Sequence, residues 1–262
     1  MIDFPFDSFW HLLWGMVARD LRGRYLGSFG GKAWNVLYPL LMILIYTLVF
    51  SGIIRAKFPA IEGPMGYALY LCSGLLPWLA IDDAFKRSTP ALVNNMSLLQ
   101  NLPFPKEILV LQYVLSATVT LIISIVILLV LELVAGVGLR PSLLLLPAVI
   151  LLQVLLMMGP ALLLSVLHVY LRDTEQIVSI SLSLVFWLIP VVYVPAILPV
   201  WVRAIVNQNP LTHLIAIYRW ILLPYPMPDV FSISYIVAVS CISFILGLLV
   251  FRRLSKWVPD NL

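Results

Sequence analysis

Charge is what this sequence most lacks. Asp, Glu, Lys and Arg make up 11% of its 262 residues, where a soluble domain carries about a quarter. The hydrophobic share is 62%, and the mean hydropathy is +1.05. A water-facing surface cannot be built from such a composition, so the chain is an integral membrane protein. Cysteine is nearly absent as well. Cys72 and Cys241 lie far apart in apolar runs, match no CxxC or zinc spacing, and are expected to pack as small apolar side chains.

Other absences narrow the function. His11, His168 and His213 stand alone with no paired spacing, so no metal site is expected. No apolar run carries a charge near its middle, which leaves proton- or ion-coupled transport little to build on. A Walker-type loop ending at Gly31-Lys32 would need Gly at position 26 and Ser or Thr at 33. Those positions are Leu26 and Ala33, and no other stretch fits, so the chain is not expected to hydrolyse nucleotide by that route. No short apolar core with a small-residue cleavage site stands at the front, so no cleavable signal peptide is expected.

What is present is a series of long uncharged runs. A helix crosses the hydrocarbon core of about 30 Å with about 20 residues. Six runs of that order occur: 33–54, 63–81, 108–131, 141–171, 176–202 and 230–251. Residues 88–105 are too polar to face lipid, with Asn94, Asn95, Ser97, Gln100 and Asn101, and are expected to form a loop containing a short helix. Residues 195–228 are rich in proline and hold two apolar halves, 197–206 and 211–223, each too short to span. They predict a broken, re-entrant hairpin, which survives in a membrane only where protein or water satisfies its backbone. With six spans and both termini inside, eleven of the sixteen Lys and Arg fall on the cytoplasmic side. The fold class is therefore all-α integral membrane: residues 1–32 a cytoplasmic N-terminal segment, 33–251 the six-span domain, and 252–262 a cytoplasmic tail.

The net charge of +4 would suggest nucleic acid in a soluble protein, but positive-inside topology accounts for it, and no nucleic-acid partner is expected. Trp10, Leu13, Trp14, Val17, Leu21 and Tyr25 recur at steps of three or four on one helical face, with Arg19 and Arg22 on the other faces and Arg24 beside Tyr25. That pattern predicts an amphipathic helix lying in the membrane interface with its arginines among lipid headgroups. Asp82, Asp83, Lys86 and Arg87 are read as a membrane-edge charge cluster in preference to a catalytic carboxylate pair. Glu132 and Arg140 flank a turn around Gly136 and Gly138 and receive no catalytic role.

Four stretches resemble one family. "RDLRGRYLGSFGGKAWNVLYPLLMILIYTLVFS", "LLQNLPFPKEILVL", "LHVYLRDTEQI" and "NPLTHLIAIYRWILL" are similar, in order and position, to the membrane subunits of ABC-2-type exporters of bacterial surface polysaccharides. Gly30-Gly31-Lys32-Ala33 departs from the more apolar run of that family. The resemblance implies a non-catalytic permease in the bacterial inner membrane: a homodimer bound to two copies of a separate cytoplasmic ATPase, which would hold the ATP and magnesium. Its cargo would be a lipid-linked polysaccharide, O-antigen first, passing between the two permease copies; teichoic acid, capsule, or a small lipid or drug are alternatives. On this resemblance Asn95, Leu98, Leu99 and Asn101 would form the coupling helix against the ATPase. Tyr170, Arg172 and Asp173 would make a second contact. Tyr38, Met42 and Tyr46 on the first span, or Ser183, Phe186 and Trp187 on the fifth, would line the channel, because stacking faces and hydroxyls suit a sliding sugar polymer. A rival of another class is a membrane enzyme acting on a lipid-linked sugar, with Asp82 and Asp83 as its acids.

Overall fold

A computed structural model describes residues 6–24, 33–49, 65–101, 105–195 and 198–255. The described residues are helical, with no strands among them. In chain order the helices are α1 (Phe6–Gly23), α2 (Trp34–Thr47), α3 (Gly66–Ser88), α4 (Ala91–Asn94), α5 (Met96–Asn101), α6 (Glu107–Val134), α7 (Leu146–Tyr170), α8 (Thr174–Leu188), α9 (Val200–Val206), α10 (Pro210–Leu222) and α11 (Val230–Leu254). A 3-10 turn, Pro141–Leu145, leads into α7.

Four of these are long and apolar enough to cross a membrane: 66–88, 107–134, 141–170 and 230–254. α3 is the central one. In its most apolar window 78% is buried within the protein, against 17% for α11, which shows most of its surface to the surroundings. The main core gathers Tyr70 and Leu76 of α3, Val114 and Leu121 of α6, Met157 of α7 and Tyr218 of α10. α11 meets α7 with almost no side chain between them. A Cβ at Gly159 would overlap the Ser243 carbonyl, and one at Gly247 would overlap the Gly159 backbone. Small residues that bring backbones this close are a common means of helix association in lipid. Between α6 and the turn at 141, Gly136 and Gly138 take φ values of 78° and 76°, which side chains with a Cβ rarely adopt.

One predicted span differs from the sequence reading, and another runs past the described residues. The first was expected over 33–54, and the described helix covers Trp34–Thr47; residues 50–54 lie outside the described residues. The fifth was expected as one run over 176–202, but α8 stops at Leu188. Pro190 is the cause: it drives the residue before it out of the helical region, and Ile189 is extended, at φ −103° and ψ 144°. After further prolines the chain forms α9 and α10, near the two half-spans expected from sequence. Asn209 caps α10, accepting from the Leu211 amide at 3.0 Å, and Pro210 starts it. Thirteen residues make roughly 20 Å of helix, too short to span.

The amphipathic face of α1 also divides differently. Leu13, Met16 and Val17 are buried, whereas Trp10 and Trp14 are exposed, so the aliphatic stripe seats α1 on α6 and the tryptophans point away. Tyr25 lies outside the described residues. Cys72 packs in the core as expected, but Cys241 is exposed on α11.

Candidate functional site

The charged residues at the far end of α3 form an ion-pair network. Asp20 of α1 is its centre, accepting from Arg87 Nη1 at 2.9 Å, from Arg24 Nε at 3.3 Å and from the Ser116 hydroxyl at 2.5 Å. Asp83 accepts from Arg24 Nη2 at 3.0 Å and stands 3.0 Å from Arg87 Nε. Asp82 pairs with Lys86 one turn on, at 2.9 Å. The Arg87 guanidinium also lies 4.9 Å from the centre of the Tyr113 ring. Burial raises the pKa of Asp20, but Arg87, the Ser116 hydroxyl and Arg24 outweigh it, so the carboxyl is held below its ordinary value. α1, α3 and α6 are therefore tied together at one end by charge. Sequence reading took the α3 residues as edge charges and passed over Asp20. The available signal was spacing: Asp20 continues the stripe of Leu13, Met16 and Val17, so it had to face the protein.

Beside this network a cleft of about 380 Å³ opens between α2, α3 and α6. Tyr38 and Met42 line it, together with Leu76, Leu79, Lys86 and Thr120. Its interior is apolar and its rim charged. Tyr46, one turn further along α2, packs against both the main core and a second cluster that holds Leu71, Leu75 and Trp78 of α3, and Phe186 of α8 packs against that second cluster. The Phe186 ring sits 6.0 Å from Trp78 and 5.3 Å from Trp187. Trp187 is exposed, and the exposed Ser183 hydroxyl donates to the Ser179 carbonyl at 3.0 Å. The expected path residues thus divide into Tyr38 with Met42 in the cleft, and Tyr46 with Phe186 against the cluster that holds Trp78, Trp187 being exposed beside Phe186.

The expected coupling residues lie near the charged end. α4 and α5 are separated at Asn95, whose amide nitrogen donates to the Ala91 carbonyl at 2.8 Å. Leu98 and Leu99 are half-buried against the main core, and α5 ends at Asn101. The Tyr170 hydroxyl donates to the Leu254 carbonyl at 3.0 Å, and Lys106 Nζ to that of Ser255 at 2.6 Å, so the C-terminal end of α11 is tied here too. Arg172 and Asp173 are exposed in the short turn before α8. Arg19 and Arg22 are exposed on α1, and Arg24 turns inward to the acids.

At the other end of α3 the polar contacts are of another kind. Arg219 of α10 is 1% exposed, lies 3.7 Å above the Tyr70 ring and donates to the Val191 carbonyl at 2.9 Å. Nearby, Arg140 donates to the Leu223 carbonyl and Ser142 to that of Ile221, the latter at 2.9 Å. Among the described residues no three His, Cys, Asp or Glu side chains gather where they could hold a metal ion. His168 is buried 4.0 Å from Glu175, and His213 contacts the Asn207 carbonyl at 2.8 Å, each at its own site.

The sequence is similar to known proteins along nearly its whole length. An O-antigen export system permease protein RfbA of Klebsiella pneumoniae is 28% identical over 93% of this chain and 92% of its own length. The protein of that name from Myxococcus xanthus is 29% identical over 88% of this chain and 87% of its own. The polysialic acid transport protein KpsM of Escherichia coli is 22% identical over 90% and 91%. The family model described as ABC-2 type transporter matches residues 11–223, and the chain belongs to that family.

Proposed function

We propose that this chain is the membrane permease of an ATP-driven exporter, and that it carries a lipid-linked polysaccharide, O-antigen first, out across the bacterial inner membrane. The observation that carries the reading is similarity along nearly the whole chain to permeases named for O-antigen export. The more distant likeness to KpsM favours a capsule-type polymer as the second reading. Both cargoes are long, hydroxyl-rich and lipid-anchored, and both suit a path with aromatic faces and weak, repeated contacts.

In this reading two copies of the chain enclose the path, and two copies of a soluble ATPase bind the charged end. ATP and magnesium belong to the ATPase. The charged end, with Asp20, Lys86, Arg87, Lys106, Arg172, Arg252 and Arg253, faces the cytoplasm, as the bias of basic residues requires. Six crossings follow if α2 and α8 complete their passage through the residues that continue them. α8 itself is roughly 22 Å long, and the non-helical stretch after it supplies the remaining length. α1 lies in the inner interface with Trp10 and Trp14 in lipid, and α9 and α10 form the outer re-entrant hairpin. α5 and the turn at 171–173 present the coupling surface. The rival enzyme reading loses support, because Asp82 and Asp83 are engaged with cations on their own and neighbouring helices.

The test is affinity purification of the tagged chain from its native membranes in mild detergent, followed by mass spectrometry. The expected result is a soluble ATPase in equal amount, lost when Arg172 and Asp173 are replaced with residues of opposite charge. Recovery of glycosyltransferases with no ATPase would overturn the exporter reading.

A further inference from the structure

At the Tyr67 end of the bundle, three consecutive backbone carbonyls accept hydrogen bonds from side chains of other helices. Val191 accepts from Arg219 Nη2 at 2.9 Å, Val192 from the Tyr67 hydroxyl, and Tyr193 from the Tyr70 hydroxyl at 3.1 Å. These carbonyls lie just past the point where Pro190 ends α8, so no helical amide reaches them. Within a membrane such groups must be met by protein or by water. Tyr67, Tyr70 and Arg219 come from α3 and α10, so three side chains on two helices hold the chain leaving a third.

Two features show that this is more than filling. Arg219 is almost wholly buried, yet among the described residues no carboxylate pairs with it. Its charge rests on the Val191 carbonyl and on the face of Tyr70. Its Nε meets no hydrogen-bond partner among the described residues, so the Val191 and Tyr70 contacts carry what a buried arginine needs. The second feature is how little of α8 itself is buried. Only Thr174, Val178 and Leu182 are buried along its length, while Ile177, Ile180, Leu184, Trp187 and Leu188 are exposed. One end of α8 is set by the turn at 171–173; the other is held by these three bonds together with the burial of Ile189 and Val191 and the packing of Phe186 on Trp78.

We propose that Arg219, Tyr67 and Tyr70 form a latch on the carbonyls of residues 191–193, and that its release frees the outer end of α8 to move during the transport cycle. Arg219 is a positioning residue here: it acts through the backbone of Val191, and it need never touch cargo. The latch suits reversal. Its bonds end on backbone carbonyls, and water or the hydroxyls of a sugar polymer can supply replacement donors. The latch itself stands on this chain alone; its release during transport rests on the exporter reading.

Hydrogen–deuterium exchange of the intact transporter in nanodiscs tests both parts. In Arg219→Gln, and in the double variant Tyr67→Phe with Tyr70→Phe, the amides of residues 189–194 should exchange about tenfold faster than in the native protein without nucleotide. The centre of α3 should be unchanged. Arg219→Lys, which keeps a charge and a donor, should recover part of the protection. The double Phe variant removes two hydroxyls and no packing, so it remains informative if Arg219→Gln fails to accumulate. Unchanged exchange in that double variant overturns the latch. In the native transporter, holding the ATPase in its ATP-bound state should raise exchange at 189–194. No response there, with the ATPase bound, would overturn release while leaving the exporter assignment standing.

Discussion

At one end of α3, Asp83 and Arg87 meet Asp20 and Arg24 in pairs of opposite sign. About 24 Å along the same helix, Tyr67 and Tyr70 meet the backbone beyond α8, and Arg219 lies against Tyr70 without an acid. Both ends fasten α3 to its neighbours, but the demands on them differ. Where α1, α3 and α6 meet at the charged end, their helices are regular and side chains pair with side chains. The carbonyls at the end of α11 also take side-chain donors there, from Tyr170 and Lys106. Water is close in the proposed topology, so full charges can be kept. At the other end the neighbouring chain is broken by proline, and the tie must first supply donors to bare carbonyls. Hydroxyls and one guanidinium do that, where a carboxylate could not.

The sharpest way to break this contrast is to remove the acid at the centre of the charged end. Asp20→Ala leaves Arg24 and Arg87 close together around a vacated site and strands the Ser116 hydroxyl. Removing one member of a largely buried pair costs about 3–5 kcal/mol. A large fall in the thermal unfolding midpoint of the detergent-purified protein is expected, with a smaller loss for Asp20→Glu. A change below about 1 kcal/mol would mean that the network behaves as a surface pair, and the distinction between the two ends would fall.

A smaller effect is expected from crowding the opposite end. A Cβ at Gly74 would stand 3.1 Å from Arg219 Nη2 and 3.1 Å from Ile215 Cγ2, tighter than ordinary contact. Gly74→Ala should therefore displace the guanidinium from Tyr70 and cost about 1–3 kcal/mol, the range for overpacking. The same unfolding assay measures it. Because the strain falls on a buried cation–π contact that dissolved ions do not reach, added salt should leave the loss nearly unchanged, whereas salt should weaken the exposed Lys86–Asp82 pair at the other end.

The sequence is most legible where length and hydropathy decide the outcome. The runs that became α3, α6, α7 and α11 are visible without any partner in view. Pro190 carried the information that ends α8, yet hydropathy alone bridged it, because the residues on both sides are apolar. The face of α1 was misjudged for a related reason. Tryptophan facing lipid and leucine facing protein are both apolar, so periodicity finds the stripe without saying which part is buried. Tyr38, Met42 and Phe186 could be picked by residue type, but their division between a cleft and the Trp78 cluster depends on how helices pack. Arg219 was the least legible. From sequence it was one more cation outside the positive side, and its burial depends on Tyr70, some 150 residues earlier.

Acid offers the last and mildest test of the contrast. The Asp20 carboxyl is held below its ordinary value of 3.8, since Arg87, Ser116 and Arg24 outweigh the effect of burial. A lowered folded-state value means that the contribution is fully present above the unfolded value and is lost as pH falls through the folded one. Between pH 5 and 8 Asp20 is ionised in both states, so its network should add no pH dependence to stability. Below about pH 3.8 the carboxyl begins to take up protons, first in the unfolded chain and then in the folded one, and α1 should loosen from α3 and α6. The other end has no carboxylate in its latch, and tyrosine and arginine keep their protonation across this range. Hydrogen exchange corrected for intrinsic rates should therefore show α1 opening in acid while 189–194 stays protected. Loosening of α1 already at pH 6 would mean that the Arg24 and Arg87 contacts do not hold Asp20 as tightly as their distances imply. Opening of 189–194 in step with α1 would instead mean that α3 passes strain from one end to the other, and the two ties would have to be treated as one.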